Sequence, residues 1–121
     1  MAIIRYLVHD VDAAVKFYGL LGFELEQRWG APFAIVRHED LRLWLSGPGS
    51  SATRPLADGT QPIAGGWNRI VLEVANLRTV LESLRAVGMH VRSEPISGPG
   101  GEQALVDDPA GNPVELFEPR P

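Results

Sequence analysis

The sequence predicts an α+β fold of two βαβββ modules whose curved mixed sheets surround a central trough. Three observations carry this expectation. The chain closes on a strand–turn–strand stretch from Leu105 to Pro119. The apolar and glycine pattern of residues 3–23 returns at residues 69–89, displaced by 66 positions. Between the copies lies a stretch rich in glycine, proline and serine, residues 46–66. The expected organisation is a single domain over residues 1–121, with module one at 1–45, a linker loop at 46–66 and module two at 67–121.

The elements follow in order. Ile3 to Val8 is a β-rich run, with Ile4, Tyr6 and Val8 on one face and Ile3, Arg5 and Leu7 on the other. Asp10 or Asp12 can cap the next helix, in which Val11, Ala14, Val15, Tyr18 and Leu21 recur at helical spacing. Gly22 supplies the stop expected just past a helix. Phe23 to Trp29 is a strand with Phe23 and Leu25 inward, and Gly30-Ala31-Pro32 turns the chain. Phe33 to Arg37 and Leu41 to Leu45 are strands joined by a turn at His38-Glu39-Asp40. The stretch 46–66 then has few apolar anchors, and loops beyond about 12–15 residues tend to be functional lids or linkers. Trp67, at the entrance to module two, is expected to anchor the linker.

From Ile70 onward the pattern repeats in phase. Ile4 meets Ile70, Val8 meets Val74, Asp10 meets Asn76, Val11 meets Leu77 and Gly22 meets Gly88. Ile35-Val36 matches Leu105-Val106 once the loop at 97–101 is allowed extra residues. Two copies of one supersecondary unit are the simplest account. In the last hairpin Asp108-Pro109 starts a turn, and Gly111-Asn112 supplies residues tolerant of positive φ. Val114 and Leu116 then face one way, Glu115 and Phe117 the other. A carboxylate beside an aromatic ring is not what a core wants without a partner, so Glu115 is the first functional candidate.

Composition narrows the function. The chain is 45% hydrophobic and 21% charged, as globular proteins are, and has no cysteine, which removes disulfides and thiolate metal sites. No apolar run approaches the ~20 residues of a membrane span, and the N-terminus lacks a signal-peptide layout, so a cytoplasmic protein is expected. Net charge is −4 with Lys16 as the only lysine and no basic cluster, so neither nucleic acid nor membrane is an expected partner. No nucleophile, phosphate-loop or redox motif is present.

The paired modules and the stretch Asp108-Pro109-Ala110-Gly111-Asn112-Pro113-Val114-Glu115-Leu116 resemble the vicinal oxygen chelate superfamily, which includes glyoxalases, bleomycin-resistance proteins and extradiol dioxygenases. In metal-dependent members the resemblance implies ligands on the first strand of each module and a Glu on the last strand of the second. Glu115 matches that Glu. The first-strand positions fall on Ile3 and Arg69, and the remaining one on Arg42 or Trp44. A hydrocarbon, a guanidinium and an indole cannot hold a hard divalent cation, and Arg69 stays cationic at any relevant pH. His9, His38 and His90 read as strand-end, turn and outward residues that do not group with Glu115.

The candidate ligand-binding residues are therefore Arg5, Arg42, Trp44, Arg69, Glu73, Glu115 and Phe117, with Trp29 and Phe33 closing an end. Arginine can bind a carboxylate at two points and stack on an indole. An Arg69–Glu115 pair is expected where the resemblance places a metal, serving either a ligand or only the fold as a structural plug. The leading expectation is a metal-independent protein that binds an aromatic or anionic small molecule, with no cofactor. Two enzymatic alternatives stand beside it: a metal-dependent lyase, isomerase or dioxygenase, and a metal-free enzyme with Glu115 as catalytic base. The resemblance also implies that modules pair either within a chain or between chains, which the long 46–66 linker permits equally, and a homodimer is expected.

Overall fold

The computed structural model describes residues 1–121. The chain divides into two units, Met1–Gly65 and Gly66–Pro121. In the first, β1 (Ile4–Leu7), α1 (Val11–Leu20), β2 (Glu24–Trp29), β3 (Phe33–His38) and β4 (Leu41–Ser46) follow one another. The second repeats the series as β5 (Ile70–Glu73), α2 (Leu77–Ala86), β6 (Val91–Ser97), β7 (Gly101–Asp107) and β8 (Pro113–Pro119). Each unit holds a curved four-stranded mixed sheet, ordered β1-β4-β3-β2 in one and β5-β8-β7-β6 in the other. The first and last strands of each unit run parallel and the remaining pairs antiparallel.

Equivalent residues set equivalent helix ends. Asp10 caps α1 by accepting from the Ala13 amide at 3.2 Å, and Asn76 caps α2 by accepting from Thr79 at 3.1 Å. At the other ends the Phe23 and Met89 amides reach back to the carbonyls of Tyr18 and Leu84, and Gly22 and Gly88 donate to Gly19 and Arg85. That closure needs a left-handed residue after the helix, which Gly22 and Gly88 provide at φ +96° and +81°. The buried faces are apolar as the alternation requires: Val36, Leu43 and Leu45 on the strands and Phe17 and Tyr18 on α1 are buried in unit one, and Val106, Val114 and Leu116 on the strands and Leu77, Leu81 and Leu84 on α2 in unit two.

Several local expectations change. Leu25 is half exposed rather than inward. It lies on an edge strand, next to a register slip between Leu25 and Gln27 that breaks the alternation. Phe17 is fully buried and packs edge-on against Tyr18 at 5.0 Å, widening the helix stripe the spacing implied. His38 ends β3 instead of starting the turn, and its ring sits 5.3 Å from Phe23. Glu39 takes the positive φ of the tight turn at 53°. In the last hairpin Gly111 has φ +85°, whereas Asn112 acts through hydrogen bonds. The Asp108 carboxylate accepts from the amides of Ala110 and Asn112 and from the Asn112 side chain, each at 2.9 Å.

The strand registers also decide between Arg42 and Trp44. Arg5 lies opposite Trp44, and Val71 opposite Glu115. Because Arg5 displaced by 66 positions is Val71, Trp44 is the module-one counterpart of Glu115.

Candidate functional site

Strand alternation sends Arg5 and Trp44 to the face of the first sheet that α1 does not cover. The Arg5 guanidinium carbon sits 5.0 Å from the centroid of the Trp44 ring. Arg5 Nη1 donates to Ser46 Oγ at 2.9 Å. Ser46 is fully buried, and its hydroxyl in turn donates to the Trp44 carbonyl at 3.4 Å. Phe33 meets Trp44 edge-on at 5.7 Å, and Trp29 lies 5.5 Å beyond Phe33. These rings and Arg5 line a cavity of about 340 Å³, floored by Pro32 and Ile35. That volume falls within the range of small-molecule sites.

One wall comes from the loop. Ser50 and Ser51 reach the cavity because the Gly47 amide donates to the Pro32 carbonyl at 2.8 Å, pinning the start of the loop to the β2–β3 turn. Gly47 is needed for this approach, since a β-carbon there would lie 2.7 Å from Val11 Cγ2. Ser50 Oγ and Thr53 Oγ1 then close on the Gly47 carbonyl at 2.7 and 3.3 Å.

Unit two carries the expected ion pair. Arg69 Nε and Nη2 both donate to Glu115 Oε1, at 3.2 and 3.0 Å, while Nη1 donates to the Trp67 carbonyl at 3.2 Å. Glu115 is buried with 9% exposure, because β8 is an inner strand of its sheet. Glu73 and Phe117 face each other across β5 and β8; Glu73 is exposed and Phe117 half-buried.

The seven predicted residues thus fall into separate settings. Arg5 and Trp44 share the cavity with Trp29 and Phe33. Arg69 and Glu115 pair with each other. Arg42 is engaged by Glu26, Nε to Oε1 at 2.8 Å and Nη2 to Oε2 at 3.2 Å, and does not line the cavity. Hydrogen bonding to Arg42 holds the Glu26 carboxyl below its ordinary range and in turn raises the Arg42 guanidinium.

Sequence reasoning missed Ser46, which alternates with Trp44 and so shares its face. It also missed Arg92. That side chain holds Asp107 through Nε at 2.8 Å, donates to the carbonyls of Gly66 and Gly111 at 2.9 and 3.1 Å, and lies 4.6 Å from the Trp67 ring. The anchoring expected of Trp67 therefore falls on a cation that clasps the linker end to the last turn, while Trp67 itself stays 67% exposed.

A family model described as the Glyoxalase/Bleomycin resistance protein/Dioxygenase superfamily matches residues 1–116. The chain belongs to this superfamily. No curated protein matches it. Among solved structures, a hypothetical protein from S. aureus is 16% identical with a TM-score of 0.79, covering 98% of this chain and 92% of its own. Lactoylglutathione lyase from Agrobacterium tumefaciens is 23% identical with a TM-score of 0.69, covering 97% and 92%. TnmS3, an antibiotic binding protein from Streptomyces sp. CB03234, is 22% identical with a TM-score of 0.66, covering 99% and 97%. At these identities the likeness is one of fold.

Superfamily membership raises the question of a metal, and the residues present do not fit one. Glu115 offers the matching carboxylate, but Arg69 already occupies its Oε1. Ile3 and Trp44 carry no donor for a hard cation. No group of three or more His, Asp or Glu side chains gathers in a metal-holding cluster. His90 is committed to Asp107 at 2.7 Å, in the same cluster as Arg92.

Proposed function

We propose that this superfamily member is a metal-independent small-molecule binding protein whose aromatic or anionic ligand occupies the module-one cavity. The observation that supports this reading best is the state of Arg5. Seven of the ten arginines have a carboxylate partner, whereas Arg5 has none and lies instead in an aromatic-lined cavity. A paired guanidinium is locally neutralised. An unpaired one beside apolar walls keeps its full charge and its donors for an anion. Metal independence is supported by the poor donor set around Glu115. A metal-dependent lyase, isomerase or dioxygenase would need ligands these positions do not supply, and a metal-free enzyme would have to work with a Glu115 already held by Arg69. The proposal extends to a cytoplasmic homodimer with neither nucleic acid nor membrane as partner. The net charge of −4 favours no polyanion, and no helix is long and apolar enough to cross a membrane.

The test is metal analysis of dialysed protein, combined with thermal-shift screening of aromatic and anionic compounds with and without a chelator. Ligands that raise Tm equally in both conditions are the expected result. About one metal per chain, lost together with ligand stabilisation in Glu115→Ala, would overturn it.

A further inference from the structure

The free edge of Arg5 narrows the ligand class, an inference that rests on the binding reading above. We propose that the ligand is a planar aromatic monocarboxylate, bound with its carboxylate on the Nε–Nη2 edge of Arg5 and its ring against Phe33 and Trp29, and that Ser46 is the positioning residue presenting that edge.

Two contacts hold the guanidinium. Nη1 is tied to Ser46 Oγ at 2.9 Å and the guanidinium carbon rests 5.0 Å from the Trp44 ring centroid. Nε and Nη2 have no protein acceptor, so the edge that suits a side-on two-point contact is left open. The same sheet already shows that contact made. Arg42, two residues from Trp44, binds Glu26 through Nε and Nη2 at 2.8 and 3.2 Å. A ligand carboxylate at Arg5 would repeat this arrangement with the acid supplied from outside.

The rest of the lining fixes the remaining chemistry. No Asp or Glu borders the cavity to repel an anion, and no second cation borders it to meet a second charge. Ser50 spends its hydroxyl on the Gly47 carbonyl at 2.7 Å, which leaves Ser51 as the one other hydroxyl donor on the lining, too few for all of a phosphate's further oxygens. Apart from Ser50 and Ser51 the uncharged walls are aromatic or aliphatic, which suits a flat ring system in about 340 Å³. Ser46 is the one polar side chain fully buried at the end of a strand whose other buried members, Leu43 and Leu45, are apolar. Its hydroxyl bridges Arg5 and the Trp44 carbonyl, and so restrains the guanidinium by Nη1 while the Nε–Nη2 edge stays unpaired.

The experiment is a tryptophan-fluorescence titration with three probes of one ring system: naphthoate, neutral naphthamide and naphthyl phosphate. Naphthoate is expected to bind about tenfold or more tightly than naphthamide, the size of a charge-assisted two-point contact. Arg5→Gln should abolish this gap. Arg5→Lys, which keeps the charge without the edge, should recover only part of it. Ser46→Ala should narrow the gap about threefold or more, and Ser46→Thr should restore it. Equal binding of naphthoate and naphthamide would overturn the carboxylate assignment while leaving an aromatic site. Tighter binding of naphthyl phosphate would overturn it as well. Failure of all three probes to bind would overturn the site itself. A gap untouched by Ser46→Ala would remove the positioning role; if that variant does not fold, an Arg5→Lys gap equal to wild type decides against the two-point edge.

Discussion

Module one and module two can be compared residue against residue, because their strands pair in matching registers. Arg5 opposite Trp44 becomes Val71 opposite Glu115, and Leu7 opposite Ser46 becomes Glu73 opposite Phe117. On the covered faces the exchanges are conservative: Leu43 becomes Val114, Leu45 becomes Leu116, and Ala34 and Val36 return as Ala104 and Val106. On the open faces chemistry is replaced outright. Module one presents a guanidinium without an acid among aromatic rings. Module two presents a guanidinium neutralised by its own Glu115. The difference teaches that the scaffold is specified by one side of each strand. The alternate side is free to be made either receptive or self-satisfied.

The covered faces should therefore respond alike, and with the largest effect. Leu45 and Leu116 are both fully buried on the last strand of their modules. Leu45→Ala and Leu116→Ala should each cost about 2–5 kcal/mol, the sum of lost burial and the cavity left behind. Urea denaturation followed by circular dichroism measures both. Costs differing by more than about 2 kcal/mol would break the equivalence, since one site would then be collapsing far more readily than the other.

The open faces should respond differently. Arg69→Met removes the partner of a Glu115 carboxylate that is only 9% exposed, and should cost roughly 1–3 kcal/mol. Arg5→Met removes an exposed guanidinium that leaves no buried acid behind, and should change stability by less than about 1 kcal/mol. Adding Glu115→Met to Arg69→Met should recover most of the loss, because an apolar pair avoids the desolvation that a half-paired charge suffers. A double variant no more stable than Arg69→Met alone would show that Glu115 serves the fold by something other than its charge. Equal costs at Arg5 and Arg69 would remove the contrast between the modules.

Much of this was legible because it is local or periodic. Asp10, Gly22, Asn76 and Gly88 announce helix ends through chemistry confined to a few residues. The Arg69–Glu115 pair could be expected because the resemblance brings those two positions together and strand alternation puts Glu115 on the open face. Where the period failed, so did the reading. Glu26 pairs with Arg42 across a register slip, so alternation along β2 gives no guide to which arginine is neutralised. The cavity wall at Ser50 and Ser51 depends on a contact between Gly47 and Pro32, two turns with no periodic relation. Ser46 sat at a readable position, but a small hydroxyl carries no signal until the guanidinium it holds is seen.

The smallest expected effect concerns acid. Each module has one partly exposed carboxyl held below the ordinary value of 4.5 by hydrogen bonding to an arginine, Glu26 by Arg42 and Glu102 by Arg78. Since folding lowers these carboxyls, their contribution is present above pH 4.5 and is lost as pH falls through the depressed folded value. Glu26→Gln and Glu102→Gln should each flatten the acid limb of the stability curve below that point. Both pairs are open to solvent, so the flattening is slight and fades with added salt. The modules still differ here, because the second arginine acting on Glu26, Arg37, is in ion-pair contact at 3.2 Å and hydrogen-bonds to it, whereas the second one acting on Glu102, Arg120, lowers it through space only. At low salt Glu26→Gln should therefore flatten the limb more than Glu102→Gln. Denaturation midpoints between pH 3 and 6 measure this, and the reverse order would mean that the second arginine only restrains Glu26 without lowering its charge cost.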